Sequence, residues 1–518
     1  HSLAYGHLRQ GREDRRGKTV QIEPRMSLTG AAADEWIAAR PGSEGLLALG
    51  MAHVLVNEDH YDGSDRDEWL KVLQKYSPSL VSAETDVSEE KIVRLAREFG
   101  ASTASLAIAG GATTAGTNAV ASVVAINALN HLAGNLSEPG GIIFNSEQTY
   151  SAEVGLRQAG FQGMLGLVEA MEVGDVDVLL IHDTNPVFAL PRDVRFRQAM
   201  ENVPLIVALS SFRDETTEMA DFILPTNTYL ESWGDDIPDP GVGFPVVSIS
   251  QPVVETLYDT LPVGDIMLSL ARKIDGELPM SMRWDTMQEF VKEGWREEFE
   301  QHGLDEVDQE FDELWHAALE AGVWGKPGST IDDQLVPSSA STIAAIANPI
   351  SKFAGDEDEY PFVLHPFLTA TFLDGRGANL PWLQELPDPM TSIVYGSWVE
   401  LNPVTANELG ITEGDVLKVE TPTGFVRVPA FIFAAIKPGV VAMPIGQGHT
   451  TYGRFAKERG VNPVHIVATL MDDQTGDLAW AATRVKIQAT GERLPVIKTD
   501  GVTRTLGRQI LGPKNDHA

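Results

Sequence analysis

Polar residues able to do chemistry stand at four places in this chain, each where an apolar run gives way to a turn. The stretch KTVQIEPR (residues 18–25) reads as a strand closing on Glu23 and Arg25. A carboxylate at such a strand end can accept from ribose hydroxyls, and a solvated strand end explains it equally well. Within the stretch 39–56, the turn PGSE (41–44) is followed by a helix with a strongly apolar face, which Ser43 is placed to cap, with Glu44 beside it. A helix N-terminus of this kind can hold an anion or the polar edge of a base. Two loops, HDTNP with Asn185 and SSFRDETT with Asp214 and Thr216, follow apolar runs at 176–183 and 203–211. They are either ordinary surface connections or the walls of a nucleotide-sized site, because open parallel sheets take ligands outside the carboxyl ends of their strands. The fourth place is GQGHTTYGRFAKERGVNP (446–463), long, glycine-rich and carrying His449, Tyr452 and Arg454. A surface loop and a ligand-contacting loop fit that composition alike.

The elements that must position these residues fall into two textures. Short apolar runs without alternation predict buried parallel strands at 20–22, 104–109, 178–181 and 205–209. Between the last two, residues 192–202 are helix-compatible, and a strand–helix–strand unit of this length crosses over right-handedly. Helices are expected at 89–99, capped by Ser88 and stopped by Gly100, at 119–133, at 261–276 and within 285–321, the last with tryptophans facing a core. The acid-rich stretch 57–69 lacks the ligand alternation of a calcium loop and reads as a solvated connection. A region rich in Gly, Pro, Ser and Asp at 322–358 is the clearest boundary. After it, FVLHPF, SWVELNP, VLKVETP, FVRVPAFIF, GVVAMPIG and TRVKIQA are short strands punctuated by turns, the pattern of a β-barrel. The fold class expected is therefore α/β, with parallel-sheet Rossmann-like domains followed by a C-terminal β-barrel. The domains expected are 1–101, 102–235, a helical return and linker at 236–358, and the barrel at 359–518.

Composition removes whole classes of function. The 518 residues carry 74 acidic against 39 basic side chains, a formal charge of -35. So acidic a surface repels nucleic acid and anionic lipid. There is no cysteine, which rules out disulfides, an iron–sulfur cluster held by this chain and a cysteine nucleophile. No GxGxxG, phosphate loop or GxSxG elbow occurs, and no apolar run approaches the ~20 residues that span a bilayer. The chain opens on His1, as a processed protein or part of a longer one would.

Taken in order, these stretches resemble the large subunits of the molybdopterin oxidoreductase superfamily, of the dimethyl-sulfoxide-reductase type. The resemblance rests on IEPRMSLTGAAADEW (22–36), ARPGSEGLLALG (39–50) and AINALNHLAGNLSEPGG (125–141). It continues through TNP (184–186), ETTEMADFILPTNTYLE (215–231), DGRGANLPWLQELPDPMTSIVYGSWVELNP (374–403) and the GQGH loop. Within the family the chain looks most like the polysulfide and tetrathionate reductase branch, and above all like the molybdopterin-type subunit of alternative complex III. The cofactor-binding set this implies is Glu23, Arg25, Ser43, Glu44, Asn185, Asp214, Thr216, Asn379, Gly448, His449 and Asn462. Glu23 and Glu44 would meet one guanosine, Asn185 and Asp214 the other, and His449 with its glycine neighbours would approach a pterin.

Two departures qualify the match. The family's iron–sulfur domain and metal-ligand residue precede the IEPR strand, so the resemblance assigns no catalytic residue and no metal ligand here. The family's PGTD is also PGSE, one methylene longer at the acid. The resemblance therefore implies a scaffold or electron-transfer subunit of a quinol:acceptor oxidoreductase, with no molybdenum bound. It would sit as a peripheral subunit at the periplasmic face of the bacterial inner membrane, beside an iron–sulfur subunit or domain, a membrane quinol-binding subunit and cytochrome c subunits. The alternative is a catalytic subunit binding bis-molybdopterin guanine dinucleotide with molybdenum or tungsten, reducing polysulfide or tetrathionate, with iron–sulfur clusters in a missing part or in partners. An empty pocket should hold ordered water or side chains folded inward, since dry unpaired carboxylates are costly.

Overall fold

The structure is a computed structural model that describes residues 17–102, 104–136, 141–142, 159–237, 246–274, 282–301, 311–325, 339–345, 350–499, 504–505 and 508–509. Residues 1–16 of the basic N-terminal stretch, and 326–338 and 346–349 of the 322–358 boundary region, lie outside the described residues.

Strands β1 (Val20–Ile22) and β2 (Glu35–Ile37) pair in parallel, Ile22 opposite Ile37. Both run toward α1 (Glu44–Asn57), which is buried around nearly its whole circumference, from Glu44 to Ala52 and again at Val54, Leu55 and Val56. The sequence predicts one apolar face; an all-apolar helix is instead the hub of a core. Around α1 pack α2 (Arg66–Leu73), α3 (Glu89–Gly100) and α4 (Ala119–Leu132), and they share one cluster that includes Leu47, Trp69, Ile92 and Ala125. The expected loop at 57–69 is thus shortened, because Asp65 accepts from both the Tyr61 hydroxyl and the Trp69 indole and starts α2. Ser88 does cap α3, accepting from Lys91 N–H.

Residues 104–109 form no strand, which corrects the expectation of a parallel strand there. Their hydrogen bonds go to amide side chains instead. Asn130 both accepts from Ala107 N–H at 2.7 Å and donates to its carbonyl at 2.8 Å, while Asn135 donates to the Ser105 carbonyl at 2.6 Å. Two asparagines satisfy the backbone as a neighbouring strand would.

After α5 (Gly160–Val173), β3 (Val178–His182), β4 (Leu205–Leu209) and β5 (Phe222–Leu224) form a parallel sheet in that order. One face, with Leu179, Ile181 and Ile206, is buried against α5 and α6 (Phe196–Met200). On the other, Val178, Leu180 and Phe222 are exposed. The unalternated run at 176–183 therefore alternates in burial, contrary to the reading of a fully buried strand, because among the described residues helices cover only one side. The crossover helix is shorter than the expected 192–202: Arg195, at φ +60°, separates a 3-10 turn (Arg192–Val194) from α6.

A small antiparallel sheet of β6 (Gly234–Asp236), β7 (Val246–Ser250) and β8 (Val323–Gly325) packs on α8 (Met287–Gln301) and α9 (Phe311–Ala321), preceded by α7 (Val263–Ala271). Trp295 and Trp315 meet edge to face in that core, 5.8 Å between centroids.

Six strands close the C-terminal barrel: β9 (Phe362–Leu368), β10 (Val399–Leu401), β11 (Asp415–Thr421), β12 (Gly424–Ile432), β13 (Val440–Ile445) and β14 (Thr483–Arg493). Their order is β10-β12-β11-β14-β9-β13, and antiparallel β10–β13 pairing completes the ring. These are the six stretches named from the sequence, so the α/β class with a terminal barrel holds. Barrel and first unit are fastened by a buried pair. Arg25, just past β1, donates from Nε and Nη2 to the two oxygens of Glu400 in β10, at 2.5 and 2.8 Å. Trp398 Nε1 donates to the same carboxylate at 3.0 Å, and the guanidinium lies 3.6 Å from the Phe367 ring centre.

Candidate functional site

The loops that leave β3 and β4 meet the barrel loop 446–463 in one buried cluster whose hub is Glu215. One of its oxygens accepts from the backbone N–H of Thr450 and of Thr451, at 2.6 and 3.0 Å. The other accepts from Asn185 Nδ2 at 2.7 Å and lies 3.2 Å from His449 Nδ1. Thr216 donates from its hydroxyl to Asn185 Oδ1 at 2.7 Å, which holds the amide in place. Asp214 turns inward on its own loop and accepts from the N–H groups of Thr216 and Thr217. Burial alone would push Glu215 upward, but the hydrogen bonds from His449 and Asn185 and the charge of His449 bring it well below the ordinary carboxylate range. Asp214 goes the other way, raised chiefly by burial and also by the neighbouring charge of Glu215.

His449 is fixed on every side. Phe188 stacks face to face on it, centroids 3.7 Å apart and planes 9° from parallel. Its Nε2 faces the Gly375 carbonyl at 3.3 Å. Both ring nitrogens thus face oxygen atoms of the protein. Gly375 has φ +117°, and a Cβ there would come within 2.9 Å of His449 Nε2, so the position admits little but glycine. Gly448 is constrained likewise, with φ +100° and Asn462 N only 2.3 Å from any added Cβ. Asn462 donates to the Phe188 carbonyl at 2.7 Å and accepts from Val464 N–H, tying the loop's end to the β3 connection. Asn379 accepts from Phe455 N–H at 3.2 Å further along the same loop. The structure thus brings together Asn185, Asp214, Thr216, Gly448, His449 and Asn462, with Asn379 at the margin.

The remaining four candidates lie in the first unit and do not act as one group. Glu23 accepts from Ser27 N–H and from Gln21 Nε2, and burial raises its pKa. Arg25 is committed to Glu400, as described above. Ser43 stands at the N-cap of α1, yet its hydroxyl donates back to the Arg40 carbonyl at 2.7 Å instead of capping the helix. Glu44 differs from all the others. It is 5% exposed and neither carboxylate oxygen has a hydrogen-bond partner. Only the backbone of Gly42 and of Glu44 itself faces it at looser geometry, and burial pushes it up to about 7.

Family comparisons agree with this architecture. The sequence profile "Molybdopterin oxidoreductase" matches residues 1–237, and "Molydopterin dinucleotide binding domain" matches 382–479, the barrel with its long loop. The chain belongs to the molybdopterin oxidoreductase family. It is 30% identical to the "Menaquinone reductase, molybdopterin-binding-like subunit" of Nitratidesulfovibrio vulgaris, over 90% of this chain and 65% of that protein. It therefore spans slightly less than two thirds of that relative. With the arsenate respiratory reductase molybdopterin-containing subunit of a Shewanella species it shares 23% identity, over 86% of this chain and 67% of the relative. With the thiosulfate reductase molybdopterin-containing subunit of Salmonella typhimurium the identity is 22%, over 84% and 65%. Acetylene hydratase from Pelobacter acetylenicus has the same fold, with TM-score 0.68 at 18% identity, covering 91% of this chain and 74% of that one.

The residues present fit a guanine dinucleotide unequally. The partnerless carboxylate of Glu44 suits the paired N–H donors of a guanine edge. The amide of Asn185 and the ring of His449 already have their polar atoms engaged within the protein. Sequence reasoning missed Glu215, Phe188, Gly375 and Glu400. Glu215 sits in the ETTE run between two named residues, and the usable signal was that a buried loop histidine needs an acid from another loop.

Glu44 carries a measurable consequence. Below pH 4.5 the carboxyl is protonated whether the chain is folded or not; between there and about 7 only the unfolded chain releases its proton. Stability is therefore lost as pH rises through that window. Glu44→Gln should remove the loss and stabilise the ligand-free chain above pH 7 by about 3 kcal/mol, at about 1.36 kcal/mol for each pH unit the window spans. Parallel stability–pH curves for the two proteins would show that Glu44 is partnered and ionised.

Proposed function

We propose that this chain is the molybdopterin-oxidoreductase-like subunit of a membrane-associated quinol:electron-acceptor oxidoreductase of the alternative complex III type. It serves there as a scaffold and electron-transfer subunit, without molybdenum of its own. The observation that carries this reading is the closed network of Asn185, Glu215, Thr216 and His449. A ligand reaching these groups must first break hydrogen bonds that already satisfy them, and breaking a charged one costs about 1.5–3 kcal/mol. The name of the menaquinone reductase relative, a "molybdopterin-binding-like subunit", supports the same reading. Its partners would be an iron–sulfur subunit or domain, a membrane quinol-binding subunit and cytochrome c subunits at the periplasmic face. Attachment through proteins is consistent with the described residues, where no helix is long and apolar enough to cross a membrane.

Glu44 favours a second reading, a catalytic subunit of a bis-molybdopterin guanine dinucleotide enzyme acting on a sulfur or oxo compound. The family cofactor, when bound, supplies two-electron oxygen or sulfur transfer at its metal. Glu44 would hold a guanine edge, and the α1 N-terminus would favour nearby phosphate. Asn185 and His449 would have to exchange internal partners for cofactor atoms. Metal analysis of the purified native complex, with assay of guanine released by acid, separates the readings. The first expects neither molybdenum nor tungsten in proportion to the chain, and no released guanine. Stoichiometric metal with guanine would make this the catalytic subunit.

A further inference from the structure

Residues 251–259, between β7 and α7, are all exposed, the apolar side chains among them included. Leu257 and Tyr258 are each 76% exposed and Tyr229, on the adjoining 3-10 turn Tyr229–Glu231, is 78% exposed. Val253, Val254, Leu230 and Leu261 are exposed with them. The shape is held by a frame of polar contacts. Glu231 accepts from Leu257 N–H at 3.0 Å and from both the N–H and the hydroxyl of Thr228. Asn227 donates to the Thr256 hydroxyl and accepts from the Thr260 hydroxyl, the latter at 2.6 Å. Val253 N–H reaches the Leu230 carbonyl, and Leu261 exchanges backbone bonds with Pro225 and Asn227. An ordinary surface loop turns its apolar groups in. A loop braced to keep Leu and Tyr in water has its docking conformation already built, so little ordering entropy is lost on binding.

The charge pattern says what would dock. Between Arg213 and Arg272 the sequence has no Lys, Arg or His, while Glu255 and Asp259 are exposed among the apolar residues. A second copy would set acid against acid, and an anionic membrane surface would be repelled. Through Pro225 and Leu261 the patch adjoins β5, whose Phe222 is also exposed. We infer that the 251–261 segment and the 229–231 turn form the docking surface for a partner protein whose contact face is apolar and rimmed with Lys and Arg. The inference rests on the proposed membership of a multisubunit complex, and it locates the surface by which the chain joins.

The test is a photo-crosslinking amino acid at Leu257 in the natively assembled complex, read by mass spectrometry. A product with one co-purifying subunit, at an apolar stretch flanked by Lys or Arg, is the expected result. A product with lipid, with a second copy, or with another part of the same polypeptide would overturn the proposal, as would no product at all. Glu255→Lys combined with Asp259→Lys should weaken retention of that subunit at least tenfold and reduce the salt dependence of what remains. Circular dichroism of the variant verifies that the fold is kept, and unchanged retention with an intact fold counts against the inference. Metal analysis of the same preparation reads the cofactor question separately, so molybdenum there would overturn the scaffold reading and leave the docking result standing.

Discussion

Glu400→Ala is expected to cost the folded chain about 3–5 kcal/mol, the usual penalty for removing one partner of a buried ion pair. Glu400 is fully buried, and its loss leaves the Arg25 guanidinium and the Trp398 indole N–H without their acceptor. The charged Arg25 is 5% exposed on its side chain, so water cannot replace the carboxylate without opening the contact between the first unit and the barrel. Replacing both partners with apolar residues of similar volume, Arg25→Met with Glu400→Leu, should recover most of the loss, because no buried charge then remains. Denaturant titration with tryptophan fluorescence reads the contrast, using the first transition because a chain of several cores need not unfold in one step. An alanine variant as stable as the parent would mean that the pair is open to water in solution.

The second large effect is expected at Glu215. Glu215→Ala removes the acceptor that joins Asn185, His449 and the backbone of Thr450 and Thr451, and it should destabilise the site by about 3–5 kcal/mol. Hydrogen exchange at the amides of Thr450 and Thr451 should rise sharply, while exchange in the barrel strands stays unchanged. The pH dependence gives an independent readout. Because the folded Glu215 is depressed below its ordinary 4.5, the unfolded chain takes up a proton first as pH falls. Its contribution is present above that value and is lost progressively below it. In Glu215→Gln this part of the acid sensitivity should vanish, even though the substitution costs stability at neutral pH. An identical acid limb in both proteins would remove Glu215 from the role assigned here.

How far the sequence could be read depended on the range of the signal. The barrel was legible because each strand is bounded by its own turn residues, such as Gly410 at φ +65° and Gly414 at φ +86°. β3 and β4 were legible as apolar runs, but that β3 leaves Val178 and Leu180 bare depends on which elements pack there. Residues 104–109 are as apolar as a strand, and what denies them a sheet is a pair of asparagines in and after α4. The site was legible by halves. Asn185, Thr216, Gly448, His449 and Asn462 do converge, yet the acid that binds them was overlooked because its partner histidine lies 234 residues away. Arg25 was assigned to a ligand for the same reason: its real partner is 375 residues downstream.

That last separation also sets a timetable. At roughly 5–20 residues per second of synthesis, Arg25 waits on the order of 20 to 75 s after leaving the ribosome before Glu400 exists. The wait is longer still for a closed barrel, since β9 is flanked by β13 and β14, and β14 begins only at Thr483. The helices around α1 draw on local neighbours and can pack during that interval, with the Arg25 side chain left hydrated at their edge. Docking of the barrel is then the step that dehydrates it. A nascent chain arrested before position 400 should therefore carry a folded first unit with a protease-accessible Arg25, and release from that state marks the moment at which the two halves of the molecule become one.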